Sequence, residues 1–504
     1  MIQRAHVSKK NVAGVFVALL LAGTSADALA DTYQVGPGKP YANLNEVQDL
    51  LQPGDVVEVD GDATYPGDIH FRNHGRPDAP ITIRGIPLNR RPPVLSGGDE
   101  WTVVLHGDHY VLENFEITGG PEYCVVHKAH DVTIRNTVVH DCPNHGILGT
   151  DAESGSLTIE YSEVYACGSG DRKHQLYIAT DETMHPGSVF RLQFTFVHGA
   201  NGGNNVKSRA ERNEIYYNWI EGAVYHGLDL IGPDGQEPGL AREDSDVVGN
   251  VIVTTSSWQV ARFGGDATGS TAGRYRFVNN TFSLGPEASV ALRMQEGVES
   301  VELHNNVFFK QSDGEVQLLR HTDPMGPDPV VRGSNNWIQD GFTDVPAGLS
   351  ASLRGGNPGF TDPSSFDLRP RAGSTLIDTG TNSTAVKDAH AIPNPLEAPV
   401  YVPLYRMRLM AGTQVERPRK GTLDIGAYEE GSPVAPPPDW NTGGSGGGSG
   451  GSGGSSQPAK PAASSEDGSG CACHLSSRHG GSAGWLILAL GLLATRRRSP
   501  HRRG

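Results

Sequence analysis

The chain is short of several features that define common protein classes. Basic residues are scarce: 41 Lys and Arg stand against 57 Asp and Glu, for a formal charge of −16. The first 30 residues carry +2 and residues 471–504 carry +6, so the body between them is near −24. Nucleic-acid binders need a basic footprint, and this body is a poor match for one. Cysteines number 5, and two of them, Cys471 and Cys473, lie near the C-terminus, leaving three for the body. The apolar runs at 12–22 and 485–494 are too short for permanent membrane spans. Walker, zinc-finger and HExxH patterns are absent, and no GxSxG lies ahead of the Gly/Ser-rich tract, which removes from the body the chemistries those motifs carry.

What is present is a repeated phrase. An apolar residue, two variable ones, a residue that is usually small and polar, one more, and an apolar β-former recur eight times. The instances are LENFEI (112–117), IRNTVV (134–139), IEYSEV (159–164), LQFTFV (192–197), IYYNWI (215–220), VVGNVI (247–252), FVNNTF (277–282) and LHNNVF (303–308). Their starts are 22, 25, 33, 23, 32, 30 and 26 residues apart. The fourth position reads Phe115, Thr137, Ser162, Thr195, Asn218, Asn250, Asn280 and Asn306. Such a column predicts a side-chain ladder, each member bonding to the one on the next coil of a solenoid.

Thirteen residues after most anchors stands a second apolar start, at Val125, Ile147, Leu228, Val260, Val290 and Val316; Val206 follows at fourteen and Leu176 at seventeen. The near-constant offset predicts coils built from two stacked sheets. An α-solenoid is a poor alternative, because the segments are short, rich in β-branched and aromatic residues, and punctuated by Gly, Asn and Asp. The 65 Gly and 34 Pro supply the turns. The fold expected is all-β, a right-handed parallel β-helix.

Both ends read as processing segments. Arg4, Lys9 and Lys10 precede the first apolar run, and Ala28, Leu29 and Ala30 form an A-x-A cleavage site, so residues 1–30 are expected to be a secretory signal. Residues 31–100 contain GPGKPY (36–41), a helix-like stretch at 44–51 and PGDVV (53–57). This block resembles the N-terminal cap of pectate-lyase-like β-helix proteins. The regular body occupies 101–340. A closing segment at 341–431 holds FDLRP (366–370), IDTG (377–380) and DIGAYE (424–429). These resemble the closing segments of bacterial secreted β-helix proteins, and are expected to cap the lower end. A Pro- and then Gly/Ser-rich linker spans 432–470. Cys471, Cys473, a short apolar run and the Arg496–Arg498 cluster follow, and this order resembles the MYXO-CTERM sorting tail of surface proteins. The resemblance implies a secreted protein displayed on the cell surface and held at the outer membrane through its tail; a single anchoring helix with flanking arginines is the alternative.

Cys142 and Cys167 each lie eight residues after an anchor. Stacking at about 4.8 Å would bring them within disulfide range, so Cys142–Cys167 is the bond expected, with stacked thiols as the alternative. Cys124 has no evident partner.

The outer wall is where a β-helix builds sites. With Val206 pointing inward, Lys207 and Arg209 point out. The row through Lys207 holds Tyr177 and Asp229, and the row through Arg209 holds Ala179 and Ile231. His174 and His226 lie beside the same patch. Arg262, Arg293 and Arg320 recur on later strands, with only Arg293 in register with Arg209. The stretch NNVKSR (204–209) followed by NEIYYN (213–218) resembles the strand bearing the catalytic lysine in polysaccharide lyase family 6. That family's arginine stands on the following coil, where this chain has Asp229 and Ile231. Its calcium-coordinating pattern is not evident, so the cofactor is unknown, with calcium left open.

The resemblance implies β-elimination on a uronic-acid polysaccharide. Lys207 would be the base, Arg209 the carboxylate clamp, and Tyr177 or His226 the acid. Asp229, His174, Arg262 and Arg293 would contact or orient substrate. Two alternatives stand beside this reading: a non-catalytic glycan-binding or adhesin-like surface protein, and a glycoside hydrolase using Asp229 and Asp234. The partner expected is a polysaccharide and not a nucleic acid, with the protein acting as a monomer.

Overall fold

The structure is a computed structural model that describes residues 30–232, 243–255, 259–266, 271–322, 328–384, 398–403 and 405–433. The expected signal segment up to residue 29, most of the linker, the tail with Cys471 and Cys473, and Asp234 lie outside the described residues.

The body is a parallel β-solenoid. Its strands form three sheets of 13, 12 and 11 strands, each running in sequence order along the stack. The expected two sheets are therefore three. Each repeated phrase straddles a turn: Ile134 lies in a first-sheet strand (Val132–Arg135) and Val139 in a second-sheet strand (Val138–His140). The thirteen-residue column begins the third sheet, as in His145–Gly149. Six residues are too few to show from periodicity alone that a corner lies between them.

Three apolar columns fill the interior. The first runs Val57, Ile83, Leu112, Ile134, Ile159, Leu192, Ile215, Val247, Phe277 and Leu303, every one in register with the next and all sealed from solvent. Burial of such columns is the main favourable term for the fold.

The turn between first and second sheets explains the phrase. Its third residue has a left-handed backbone in coil after coil: φ is 68° at Asn114, 48° at Asn136, 50° at Tyr161 and Phe194, 57° at Tyr217, 70° at Gly249, and 53–56° at Asn279, Asn305 and Asn335. Asn and Gly tolerate this region well. The fourth residue then points inward and forms the expected ladder. Asn218, Asn250, Asn280 and Asn306 each donate from Nδ2 to the Oδ1 of the next, ending on Asn336, with every link at 3.0 Å. Each Oδ1 from Asn250 to Asn336 also accepts the backbone N–H of the preceding ladder residue. Thr195 and Ser162 continue the column by accepting backbone N–H groups through their hydroxyls.

The outer face of the first sheet alternates in charge. Arg84, Glu113, Arg135 and Glu160 form one such row, and Glu302 pairs with Arg332 further along. The carboxylates of these pairs are buried, and a one-residue slip would turn the whole row to the other face of the sheet.

The first coil is covered by a single 3-10 turn, Leu44–Glu46, in place of the longer helix-like stretch expected, with Leu44, Val47 and Leu51 buried. The start of the C-terminal segment, residues 342–355, adds a last coil at the lower end, but the motifs expected to cap that end lie beyond it. The rest of the segment runs back along the flank of the second sheet. Asn335 donates to Thr379 O, Asn305 to Thr381 O and Asn279 to Asp424 O. Further back, Arg406 pairs with Glu221 at 2.7 Å, Tyr161 donates to Gln414, and Arg408 donates to Asn136 O. An apolar cluster of Phe196, Trp219, Val251, Trp337, Leu368, Ile425 and Tyr428 is sealed beneath this strap.

The disulfide also differs from expectation. Cys124 bonds to Cys142, with Cα atoms 5.7 Å apart, and Cys167 is a buried free thiol. Cys142 and Cys167 do lie on adjacent coils, since Gly168 N–H donates to Cys142 O. The Cys142 side chain turns instead toward the third-sheet strand Tyr123–His127 of the coil below. Counting from the anchors captures stacking but not that turn. Burial pushes the Cys167 thiol up to about 12, so it stays protonated.

Candidate functional site

Third-sheet register places Lys207 between Tyr177 and Asp229. The same row continues through Arg262, Arg293 and Arg320. This corrects the expected alignment of Arg293 with Arg209. The strand Gln259–Gly264 is displaced by one residue, so that Ala261, not Val260, pairs with Leu228. Gln259 thereby comes opposite His226, whose Nε2 lies 2.8 Å from its Oε1.

Lys207 is 9% exposed. Its Nζ lies 4.7 Å from the centre of the Tyr177 ring. Among the described residues it has neither a hydrogen-bond nor an ion-pair partner. Burial pushes its pKa below the ordinary lysine value, Asp229 opposes, and Arg209 and Arg262 add to the lowering.

Asp229 is fully buried and fixed from two sides. Arg262 donates from Nε and Nη2 at 2.6 and 2.8 Å, and Asn204 Nδ2 donates at 2.8 Å. Burial alone would raise this carboxyl, but the Arg262 guanidinium outweighs it and holds the pKa below the usual carboxylate range. Such an aspartate is a poor general acid. Arg209, expected to have open neighbours, is also fully buried; it donates to Gly232 O at 2.8 Å and to Asp266 at 2.6 Å. Arg293 donates to Thr322 Oγ1 at 3.2 Å, and Arg320 is exposed.

Beside the lysine row runs a second ladder, at the edge where the second sheet turns into the third. His174 N–H donates to His145 Nδ1 at 2.9 Å, Asn204 N–H to His174 Nδ1 at 2.9 Å, and His226 N–H to Asn204 Oδ1 at 3.0 Å. Strict alternation would turn the histidines inward. Here His145 and His174 stack on one another at 5.3 Å and meet the Tyr177 ring edge-on at 5.4 and 5.7 Å. Burial presses His145 down to about 3 and places His174 well below its ordinary value, with Lys207 adding to both. His226 is sealed, with Nδ1 3.0 Å from Asn204 Oδ1 and Nε2 on Gln259. Burial holds it neutral as well, near 3. Both of its nitrogens are occupied, which leaves it unsuited to protonating a leaving group.

The structure thus gathers Tyr177, Lys207, Asp229, His174, His226 and Arg262 on one wall, with Arg209 at its edge and Arg293 one coil further. The sequence reading missed His145, Asn204, Gln259 and Asp266. His145 carried a usable signal: it stands two residues before Ile147, as His174 and His226 stand before Leu176 and Leu228. Among the described residues no group of three or more His, Cys, Asp or Glu side chains is placed to hold a metal ion. A cavity of about 220 Å³ lies elsewhere, lined by Asp362, Asp367, Arg369, Tyr405 and Tyr428. There Arg369 is closed onto Asp367, and no comparable base is present.

No protein-family model matches the chain, and no curated protein matches it. Solved structures similar to it include the pectate lyase Pel9A, at 14% identity and TM-score 0.47, covering 81% of this chain and 98% of that one. XylC in complex with xylose is 9% identical at TM-score 0.43, covering 65% and 86%. An alginate lyase from Paenibacillus sp. str. FPU-7 is 16% identical at TM-score 0.36, covering 64% and 99%. Likeness at this level leaves function to be argued from the side chains themselves.

Proposed function

We propose that the protein is a polysaccharide lyase that cleaves a uronic-acid-containing glycan by β-elimination, secreted and displayed at the cell surface through its C-terminal tail. The observation that carries this is Lys207: a buried lysine without a bonded acid, its pKa lowered, set against a tyrosine ring. An amine held in this way is suited to removing a proton near neutral pH.

Lys207 Nζ takes the C5 proton of the uronate. The electrons released form the C4–C5 double bond as the bond from C4 to the bridging oxygen breaks. Tyr177 supplies the proton to that oxygen, and solvent restores Lys207 and Tyr177 to their starting forms. Asp229, locked by Arg262 and Asn204, fixes the wall on which Lys207 stands. Arg209 is tied to Asp266 and Gly232, so another group must meet the substrate carboxylate.

A glycan-binding, non-catalytic role is the second reading. It is favoured by the pairing of Arg209 and Arg262 with aspartates, which leaves less free positive charge than a carboxylate clamp needs. Incubation with alginate, pectate and glycosaminoglycans, with and without calcium, separates the two by absorbance of the unsaturated product. Lys207→Ala is expected to lower turnover by about 10²–10⁴-fold, the range for loss of a general base. Undiminished activity in that variant would remove Lys207 from the reaction. Absence of product from every uronate would leave the binding role.

A further inference from the structure

We infer that His145 and His174 form a pair of neutral hydrogen-bond donors that receive the carboxylate of an acidic sugar beside Lys207. This rests on the lyase reading above and deepens it by naming what meets the substrate's charge.

The outer ladder fixes the chemistry of these two rings. Each Nδ1 accepts a backbone N–H from the next coil, at 2.9 Å in both cases. A neutral imidazole has one donor and one acceptor nitrogen. With Nδ1 accepting, the proton is on Nε2 in both residues. Burial and the nearby Lys207 keep both rings neutral. Neither Nε2 has a hydrogen-bond partner among the described residues, although both side chains are nearly sealed. Neither Nε2 is among the fully buried unpaired polar atoms, so both donors are open at the surface of the wall, beside a lysine that also has no bonded partner among the described residues.

The three groups converge around Tyr177. That arrangement suits an anion with two acceptor oxygens. A uronate carboxylate is bonded directly to C5, the carbon whose proton Lys207 removes, so base and donors would need to act one bond apart. As that proton leaves, charge moves onto the carboxylate oxygens, and fixed N–H donors interact more strongly with it in the transition state than in the ground state. Neutral donors also need no counter-aspartate, unlike Arg209 and Arg262.

Two measurements on the intact chain test this. The first is nitrogen NMR of the histidine rings with galacturonate, glucuronate, mannuronate and guluronate monosaccharides, which have no bond to eliminate, and with galactose and mannose as neutral controls. His145 and His174 are expected to remain protonated at Nε2 alone from pH 8 to 5, and their Nε2 signals to shift with at least one uronate but with neither neutral sugar. An imidazolium or an Nδ1–H form at pH 7, or no shift with any uronate, overturns the inference.

The second measurement uses His145→Asn and His174→Asn. Asparagine preserves the ladder, as Asn204 shows by accepting His226 N–H, while removing the Nε2 donor. Each variant is expected to keep the parent melting temperature and to lose about 10²-fold in kcat with a smaller change in KM, the scale for one transition-state donor. If Lys207→Ala abolishes turnover while both asparagine variants keep full activity, the donor assignment fails and the lyase reading stands. If no uronate is cleaved yet the Nε2 signals shift, the lyase reading fails and the acid-sugar site remains.

Discussion

Single side chains in this molecule owe their properties to where the stack seals them. Glu243 is an instance away from the wall of Lys207. It is fully buried, accepts from Tyr275 at 2.9 Å and Asn213 at 3.1 Å, and burial raises its pKa to about 8. A carboxyl raised in the folded state contributes stability that is complete below its unfolded value near 4.5 and is lost as pH rises through 8. Glu243→Gln cannot ionise. Between pH 6 and 9 the parent is therefore expected to lose roughly 2 kcal/mol that the variant keeps. Denaturant titrations at the two pH values check this, and equal losses in both proteins would show that Glu243 does not titrate there.

At the scale of strands and turns, the amide ladder is the device that holds successive coils in step. Asn250 Nδ2 donates to Ile215 O and Asn280, and its Oδ1 accepts from Asn218 twice. Asn250→Ala would strand these partners in a dry interior, at an expected cost of about 3 kcal/mol or more, read from the unfolding midpoint. A loss below about 1 kcal/mol would mean that water or a neighbour replaces the amide.

This ladder was legible in sequence because one residue type recurs at one phrase position, and so was the Tyr177–Lys207–Asp229 row, because the apolar starts Leu176, Val206 and Leu228 mark the same place in each strand although their offsets differ. The place of Arg262 was not legible. It depends on a one-residue displacement of the strand Gln259–Gly264, and the spacing from its anchor does not reveal which residue enters the sheet opposite Leu228. His145 was missed, and the outward turn of His174 was not fixed, for a related reason, since strict alternation fails where these strands begin. The third sheet was missed because the corner within each phrase depends on a left-handed residue, a place filled by Asn, Gly, Tyr or Phe without a common pattern. The Cys124–Cys142 bond crosses from one sheet to another, a relation that spacing along one column does not encode.

For the whole molecule, the returning C-terminal strap is the feature that the sequence concealed most fully. Its contacts reach 275 residues back along the chain, from Ala411 to Asn136, and no local motif announces them. Removal of residues 356–433 is expected to expose Phe196, Trp219, Val251 and Trp337, lowering the melting temperature by several degrees and raising the binding of a hydrophobic dye. An unchanged melting temperature would show that the coils are self-sufficient.

The strap also decides how force would enter the fold. At the end of the described chain, Ser432 O is held by Arg369, and the preceding residues lie against Asn279 and Thr281 in the middle of the stack. A pull from beyond Pro433 would thus load many lateral bonds at once, in shear. The terminal rung would not be the first thing drawn upon, and the coils would not be stripped away one by one like thread from a reel.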